Sequence, residues 1–349
     1  MAQVEPSKVR APNIRDVARL AGVSHQTVSR VLNNAESIRP ATRARVLAVI
    51  EQLGYRPNQA ARALVTSKSR TIGVLSSHTA HYGPTTSLHA IEEAARSADY
   101  FVTAVNLVET DLDSVTAGLR HLMARAIEGL VVIAPQAMVL EAFDDLSLTI
   151  PVVTLDSTAQ LSGADATESF ASGHSLSVDQ IAGARMATRH LIDLGHRRIR
   201  HVAGPQGWTE AAAREQGFAQ EMIGAGLSVP LSIVGDWTSQ RGYAIGRELV
   251  RDRDFTALFV ANDQMALGIS HAFHDAGLSL PGQVSIVGFD DVPEARYFWP
   301  ALTTVRQDFA ELGRRSIALL LDELQGKSDL DHGKILPELI VRASTGVPE

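Results

Sequence analysis

The chain has 349 residues, is 45% hydrophobic and 20% charged, carries a formal net charge of −7 and contains no cysteine. It is long enough for one small and one larger domain and has ordinary globular composition, and the lack of cysteine excludes disulfide frameworks and thiolate metal sites. No apolar run reaches the roughly 18–20 residues that a membrane span needs. The N-terminus, MAQVEPSKVRAPNIRDV, has no apolar stretch of the kind an export signal requires, so a cytoplasmic setting is expected.

The charge is divided unevenly. Residues 1–70 hold 12 Lys and Arg against 4 Asp and Glu, and the remaining 279 residues hold 20 against 35. A basic head on an acidic body is the footprint of a module that docks on phosphate while the rest of the chain is repelled by it.

Residues 1–12 are polar, contain two prolines and read as a disordered arm. Ile14, Val17, Ala18 and Ala21 recur at helical spacing behind Asn13, a good N-cap, and Gly22 marks a turn. Ser24 caps a second helix that runs to about Leu32, with Val28, Val31 and Leu32 facing inward. Pro40 opens a third helix with Val46, Ile50 and Leu53 on one face, and Gly54 suits its end. Three short helices with a tight Gly-containing turn between the first two are the pattern of a helix-turn-helix over residues 13–57. Residues 58–65, NQAARALV, are helix-prone but too short to be stable alone. They lead into the linker Thr66–Ser69, giving a hinge and linker over 58–69.

From Thr71 on, short β-rich runs alternate with helical stretches: TIGVL (71–75), FVTAV (101–105), GLVVI (129–133), PVVTL (151–155), RIRHVAG (198–204), SIVG (232–235), ALFVA (257–261) and VSIVGF (284–289). The spacing is that of βαβ units, and the continuous Val/Ile character suits parallel strands buried on both faces. So many units over residues 70–349 predict two α/β lobes rather than one sheet. The Ser/Gly/Ala-rich stretch from Ser157 to Ser177 reads as one long loop.

The second helix presents His25, Gln26, Ser29 and Arg30 opposite its apolar side. Arg bonds guanine in bidentate fashion and Gln does so with adenine, while Ser24, Thr27, Ser29 and the helix N-terminus suit phosphates. The segment NIRDVARLAGVSHQTVSRVLN (13–33), continued by Gly54-Tyr55-Arg56-Pro57-Asn58 and Ala63-Leu64, resembles the head of the LacI/GalR repressor family. The resemblance places His25, Gln26 and Arg30 at base-reading positions and adds Asn33, Asn58 and Arg62 to the DNA-contacting set. It matches Leu64 to a leucine that wedges into the minor groove at the operator centre, although an exposed leucine there also suits packing against its own domain. It implies a homodimer with two heads on a pseudo-palindromic double-stranded operator, and hinge helices that order on DNA.

Beyond residue 70, the landmarks Gly73-Val74, HLIDLGHRRIRHVAGP (190–205), AREQGF (213–218), VANDQMALG (260–268), VGFDDVP (287–293) and LTTVRQDF (302–309) resemble the two-lobed, periplasmic-binding-protein-like effector domain of the same family. The fold implied is an all-α helix-turn-helix head joined to this α/β domain. The resemblance implies effector contacts at Ser77, Pro84, Asp156, Arg214, Trp237, Asn262, Asp263 and Asp290. Asp156 and Asn262 also suit helix caps, and Trp237 also suits core packing. Carboxylates, an amide and a guanidinium around an aromatic face suit a sugar, so a carbohydrate is the expected effector. The ending LIVRASTGVPE lacks the heptad pattern through which lac-type members form tetramers, which favours a dimer.

No enzyme motif is found. HExxH, GxSxG and a strand-borne GxGxxG are all absent, and Gly326-Lys327-Ser328 lacks the first glycine of a phosphate-binding loop. No cofactor and no metal are expected, and His190, His196 and His201 read as surface or capping residues.

Overall fold

The computed structural model describes residues 12–32, 37–55, 68–77, 81–108, 111–133, 148–157, 160–161, 173–327 and 334–348. The chain divides into two compact units, Met1–Ser69 and Arg70–Glu349.

The small unit contains helices α1 (Ile14–Ala21), α2 (His25–Leu32) and α3 (Pro40–Leu53). A capping box starts α1. The Asn13 side chain accepts the N–H groups of Arg15 and Asp16, and the Asp16 carboxylate accepts the Asn13 N–H at 3.0 Å. Gly22, at φ +62°, ends α1 in the left-handed conformation that glycine adopts without strain. Val17, Ala18 and Ala21 then meet Val28, Val31, Val46 and Val49 in one small core. Each fully buried valine contributes on the order of 1.5–3 kcal/mol, which is what fixes the three helices to one another.

The large unit holds two sheets. The first contains β1 (Thr71–Ser77), β2 (Phe101–Leu107), β3 (Gly129–Ile133), β4 (Val152–Leu155) and β5 (Gly173–Leu176) in the order β2-β1-β3-β4-β5, all parallel. Helices α4 (Tyr82–Ser97) and α5 (Leu112–Met123) connect its early strands. The second contains β6 (Ile199–Ala203), β7 (Ile233–Val234), β8 (Ala257–Val260), β9 (Ser285–Asp290), β10 (Thr303–Arg306) and β11 (Glu338–Ile340) in the order β11-β10-β9-β8-β6-β7. Only β11 runs antiparallel there. Its helices are α6 (Gln180–Asp193), α7 (Thr209–Gly224), α8 (Ser239–Leu249) and α9 (Asp263–Asp275).

The lobes are not contiguous in the chain. After β10, helix α10 (Phe309–Leu324) returns to the first lobe, packing on α4 and against β3, β4 and β5, before the chain goes back for β11. Three segments therefore cross between lobes: 177–179, 307–308 and 334–337. The first and third run side by side, with Val178 bridging Ile335 and the Asp179 N–H donating to the Ile335 carbonyl at 2.8 Å. Both sheets place their strand-order reversal centrally, at β1/β3 and at β6/β8, and ligands bind beyond the carboxyl ends of strands at such points.

Two expectations need correction. Residues 173–176, within the stretch read as a single loop, form β5 and pair with β4. His196 and His201 are buried, not on the surface. The His196 ring bonds Thr256, Ser285 and the Gly346 carbonyl, which ties the C-terminal segment to the second sheet. The His201 ring is stacked between Phe218 and Phe259, with Nδ1 at 3.0 Å from the Phe259 carbonyl.

Burial lowers the pKa of His201 from 6.5 to about 4. The unfolded chain takes up this proton near pH 6.5 and the folded chain does not, so the stability contributed by neutral His201 is complete above pH 6.5 and declines as pH falls towards 4. In urea titrations, the stability difference between wild type and His201→Gln is expected to shrink by about 2 kcal/mol from pH 7 to pH 5. A pH-independent difference would show that His201 does not carry this linkage.

Candidate functional site

In the small unit, the Ser24 hydroxyl accepts the Thr27 N–H at 3.1 Å and bonds the Thr27 hydroxyl at 2.9 Å, capping α2. With Val28 and Val31 drawn into the core, the other side of α2 turns outward. Ser24, His25, Gln26 and Arg30 are exposed there, and Thr27 and Ser29 are half-buried. His25, Gln26, Ser29 and Arg30 share one stripe about a turn and a half long, the width of surface a recognition helix presents to a major groove. Asn33, Asn58, Arg62 and Leu64 lie outside the described residues.

In the large unit, a cavity enclosing about 690 Å³ of empty space, part of it open to solvent, lies where the carboxyl ends of strands from both sheets face each other. Pro84 on α4, Asp156 after β4, Arg214 on α7, Trp237 after β7, Asn262 after β8 and Asp290 at the end of β9 all line it, so residues far apart in the chain converge.

The floor is a closed polar ring. Arg214 donates from Nε to the Gln180 Oε1 at 2.8 Å and from a terminal nitrogen to the Ala261 carbonyl, and its other terminal nitrogen lies 3.7 Å from Asp290. Gln180 donates to Gln307 at 2.7 Å, and Gln307 donates to Asp290 at 2.7 Å. Gln180 follows the first crossover and Gln307 stands in the second, so the ring joins two inter-lobe segments to the charges on the cavity floor. Burial pushes the Asp290 carboxyl up to about 6, outweighing the lowering by Arg214 and Gln307.

The walls are aromatic. Trp208 and Trp237 meet edge to face at 5.6 Å, His81 packs on Trp208 at 5.4 Å, and Tyr82 on Phe309 at 5.9 Å. The Trp237 ring lies where a Cβ on Gly204 would stand, only 2.1 Å away, so glycine there is what admits the indole. Trp237 and Asp290 hold φ of +72° and +114°, conformations that cost non-glycine residues of order 1–3 kcal/mol and cluster at ligand sites. Asn262 both lines the cavity and caps α9. Its Oδ1 accepts the Met265 N–H at 3.0 Å, and its Nδ2 donates to the Trp237 carbonyl at 3.0 Å.

Two expected contacts stand behind the wall. Ser77 is buried at the end of β1, and the cavity face is taken by the following stretch, His81–Pro84. Asp263 is fully buried, accepts the Val292 N–H at 2.9 Å and the Thr304 hydroxyl at 2.6 Å, and braces the loop after β9 against β10. Gly288 leaves it room, since a Cβ there would lie 2.2 Å from its oxygen. Five lining residues carry chemistry that motif reading passed over: Gln180, Trp208, Glu210, Gln307 and Phe309. Gln307 and Phe309 stand inside LTTVRQDF, so the signal was available there. Glu210 sits between quoted motifs, and only its place just after a strand and at a helix start pointed to the site.

Among the described residues, no helix is long and apolar enough to cross a membrane, and no three His, Asp or Glu cluster to hold a metal.

Residues 13–58 match the model of bacterial regulatory proteins of the lacI family, and residues 188–345 match the periplasmic binding protein-like domain. The HTH-type transcriptional repressor PurR of Haemophilus influenzae is 33% identical over 342 residues, covering 95% of this chain and 98% of that protein. The chain belongs to the LacI family. The lac repressor dimer bound to operator and the anti-inducer ONPF superposes with a TM-score of 0.85 at 29% identity, over 97% of this chain and all of that one. The CelR–cellobiose complex of another transcriptional regulator gives 0.68 at 27% identity, over 95% and 99%. As a LacI-family member, the chain is a DNA-binding transcriptional regulator whose large domain answers to a small molecule.

Asp263 braces the fold without lining the cavity. Asp263→Ala leaves the Val292 N–H and the Thr304 hydroxyl buried without their partner and is expected to cost about 2–4 kcal/mol in urea denaturation. Asp263→Asn, which keeps the size and one acceptor, is expected to cost clearly less. Equal losses for the two would contradict the bracing role.

Proposed function

We propose that this protein is a dimeric repressor whose grip on a pseudo-palindromic operator is set by a sugar or sugar derivative held between the two lobes. The observation that carries this reading is the cavity itself, a concave site between lobes that pairs aromatic faces with a few convergent hydrogen-bonding groups. A pyranose has an apolar C–H face, which suits Trp208, Trp237 and Phe309, and a hydroxyl rim, which suits Arg214, Asp290, Asp156 and Asn262. The CelR neighbour, bound to cellobiose, supports the same chemistry.

On DNA, Gln26 and Arg30 read base edges together with His25, while Ser24, Thr27 and Ser29 hold phosphates and set register. Asn33, Asn58 and Arg62 complete the DNA-contacting set, and Leu64 serves the minor groove. The effector bridges groups of both lobes and so favours one lobe arrangement. Because the coupling is reciprocal, a ligand that weakens operator binding is itself bound less tightly by the operator complex.

The partner for dimerisation is a second copy. Tyr297 and Trp299 are 78% and 89% exposed beside Leu278, Leu280 and Phe298, a concentration of aromatic surface typical of an interface core. The operator-bound lac repressor is likewise a dimer.

Gel shifts on a palindromic operator library across a salt series, with and without candidate sugars, test the reading. Sequence-specific binding that no sugar alters would overturn the effector assignment. Arg30→Ala is expected to relax base preference at one position of each half-site, at about 1–3 kcal/mol. An unchanged preference would refute its reading role. Trp299→Asp is expected to yield monomers in sedimentation and to lose operator affinity, and an unchanged dimer would remove this face from the interface.

A further inference from the structure

The cavity's charge is unbalanced in a way that bears on what it accepts. Arg214 is the only Lys or Arg among the described residues that line it, and Asp290 already stands beside that guanidinium. Two further carboxylates line the same space, Asp156 from the first lobe and Glu210 from the second. The lobes meet just at these residues: the N–H of Ser157, next to Asp156, donates to the hydroxyl of Thr209, next to Glu210, at 3.2 Å. The Thr209 hydroxyl is itself 3.2 Å from the Glu210 carboxylate.

One carboxyl group thus faces another across the cleft. The Glu210 carboxyl is pushed up to about 7, mainly by burial and further by Asp156, with Arg214 and Thr209 pulling the other way. The strands nearest Asp156 supply no cation to offset this. From Ala126 to Ala184 the chain carries eight Asp and Glu and no Lys or Arg, and this span supplies β3, β4 and β5, whose ends line part of that side of the cavity. The other basic group on the wall, His81, packs edge-on against Trp208.

We infer that Asp156 and Glu210 form a charge filter across the cleft, so that the effector places hydrogen-donating groups without negative charge between them, and phosphorylated or carboxylated ligands are rejected. The inference rests on the small-molecule reading above and narrows it. A neutral sugar supplies the shared chemistry through vicinal hydroxyls, and an amino sugar supplies it through an ammonium. Either satisfies both carboxylates at once and draws the two lobes together. An anionic ligand adds further negative charge beside these carboxyl groups in a water-poor space, where repulsion is screened least. Glu210 is therefore a specificity-determining residue that acts on the sign of the ligand's charge.

The test uses the full-length protein and a charge-sorted panel of hexoses and disaccharides, each with its 2-amino, uronate and 6-phosphate derivative. Non-sugar polyols, amines, carboxylates and phosphates complete the set. Binding is followed by thermal shift and calorimetry. For the best-binding sugar, the neutral and amino forms are expected to bind about tenfold or more tightly than the anionic forms. Glu210→Gln, checked for folding by circular dichroism, is expected to narrow that gap several-fold, the anionic forms gaining affinity relative to the neutral one. Anionic derivatives that bind wild type as tightly as their neutral parents, or a gap that Glu210→Gln leaves intact, would overturn the filter. If no sugar binds, the carbohydrate reading fails on its own. The charge of the non-sugar ligands that do bind then decides the filter, which an anionic ligand would refute and a neutral or cationic one would uphold.

Discussion

The guanidinium of Arg214 is buried, and a buried cation is tolerated only where acceptors surround it. Its acceptors come from three places: the start of α6 through Gln180, the end of β8 through the Ala261 carbonyl, and the end of β9 through Asp290. Its flat faces are covered as well, with the guanidinium carbon 3.9 Å from the Phe289 ring centre and 5.4 Å from that of Trp237. Removing Asp290 would leave a charge without its counter-ion, and removing Gln180 would leave an N–H without an acceptor, in a place water hardly reaches. The ion therefore fixes the relative positions of two strand ends and one crossover, and Gln307 extends the constraint to a second crossover.

That constraint connects ligand chemistry to lobe geometry. Two packed lobes joined by three covalent segments can shift against each other only by bending those segments, and the polar ring lies against two of them. A ligand that touches Arg214 or Asp290 touches groups whose hydrogen bonds already hold Gln180 and Gln307. A change in the ring is then a change at the hinge, with no need for a long path through the core. The third crossover, tied to the first by the Asp179–Ile335 bond and by Lys334 at 3.5 Å from Asp179, follows the same motion.

The parts legible in the sequence were those with a local cause. Capping by Asn13 and Ser24, the turn at Gly22, the stop at Gly54 and the Val/Ile-rich strands all follow from a few neighbouring residues, and the structure has them where the pattern puts them. β5 escaped because Gly-His-Ser-Leu has no β-branched residue and owes its strand state to pairing with β4. β10 escaped because Thr-Thr-Val-Arg holds a single aliphatic residue, and β11 because it is a three-residue antiparallel edge. The return of α10 to the first lobe is a tertiary choice that no window of sequence displays. His196 and His201 looked polar and proved buried, because hydroxyl, carbonyl and aromatic partners distant in sequence satisfy them. In the site, Arg214 and Asp290 stood in recognisable motifs. Asp263, adjacent to Asn262 and similar in chemistry, faces the opposite way because the first residue of α9 turns into the sheet.

The strained residues show why the cavity is rigid before a ligand arrives. Trp237 and Asp290 occupy left-handed backbone conformations that neither would choose in a free peptide. Asn262 holds the Trp237 carbonyl with one end of its amide and the start of α9 with the other, and Gly204 offers a side-chain-free surface on which the indole lies. Asp290 is held by Gln307 on one side and by Arg214 on the other. The cost of a few kcal/mol is met by bonds that exist in the unliganded protein, so the aromatic wall and the charged floor are already in place. Affinity lost to ordering side chains on binding is correspondingly small. The free energy of ligand binding is then left to act on what remains adjustable, which is the approach of the Asp156 side of the cleft to the Glu210 side.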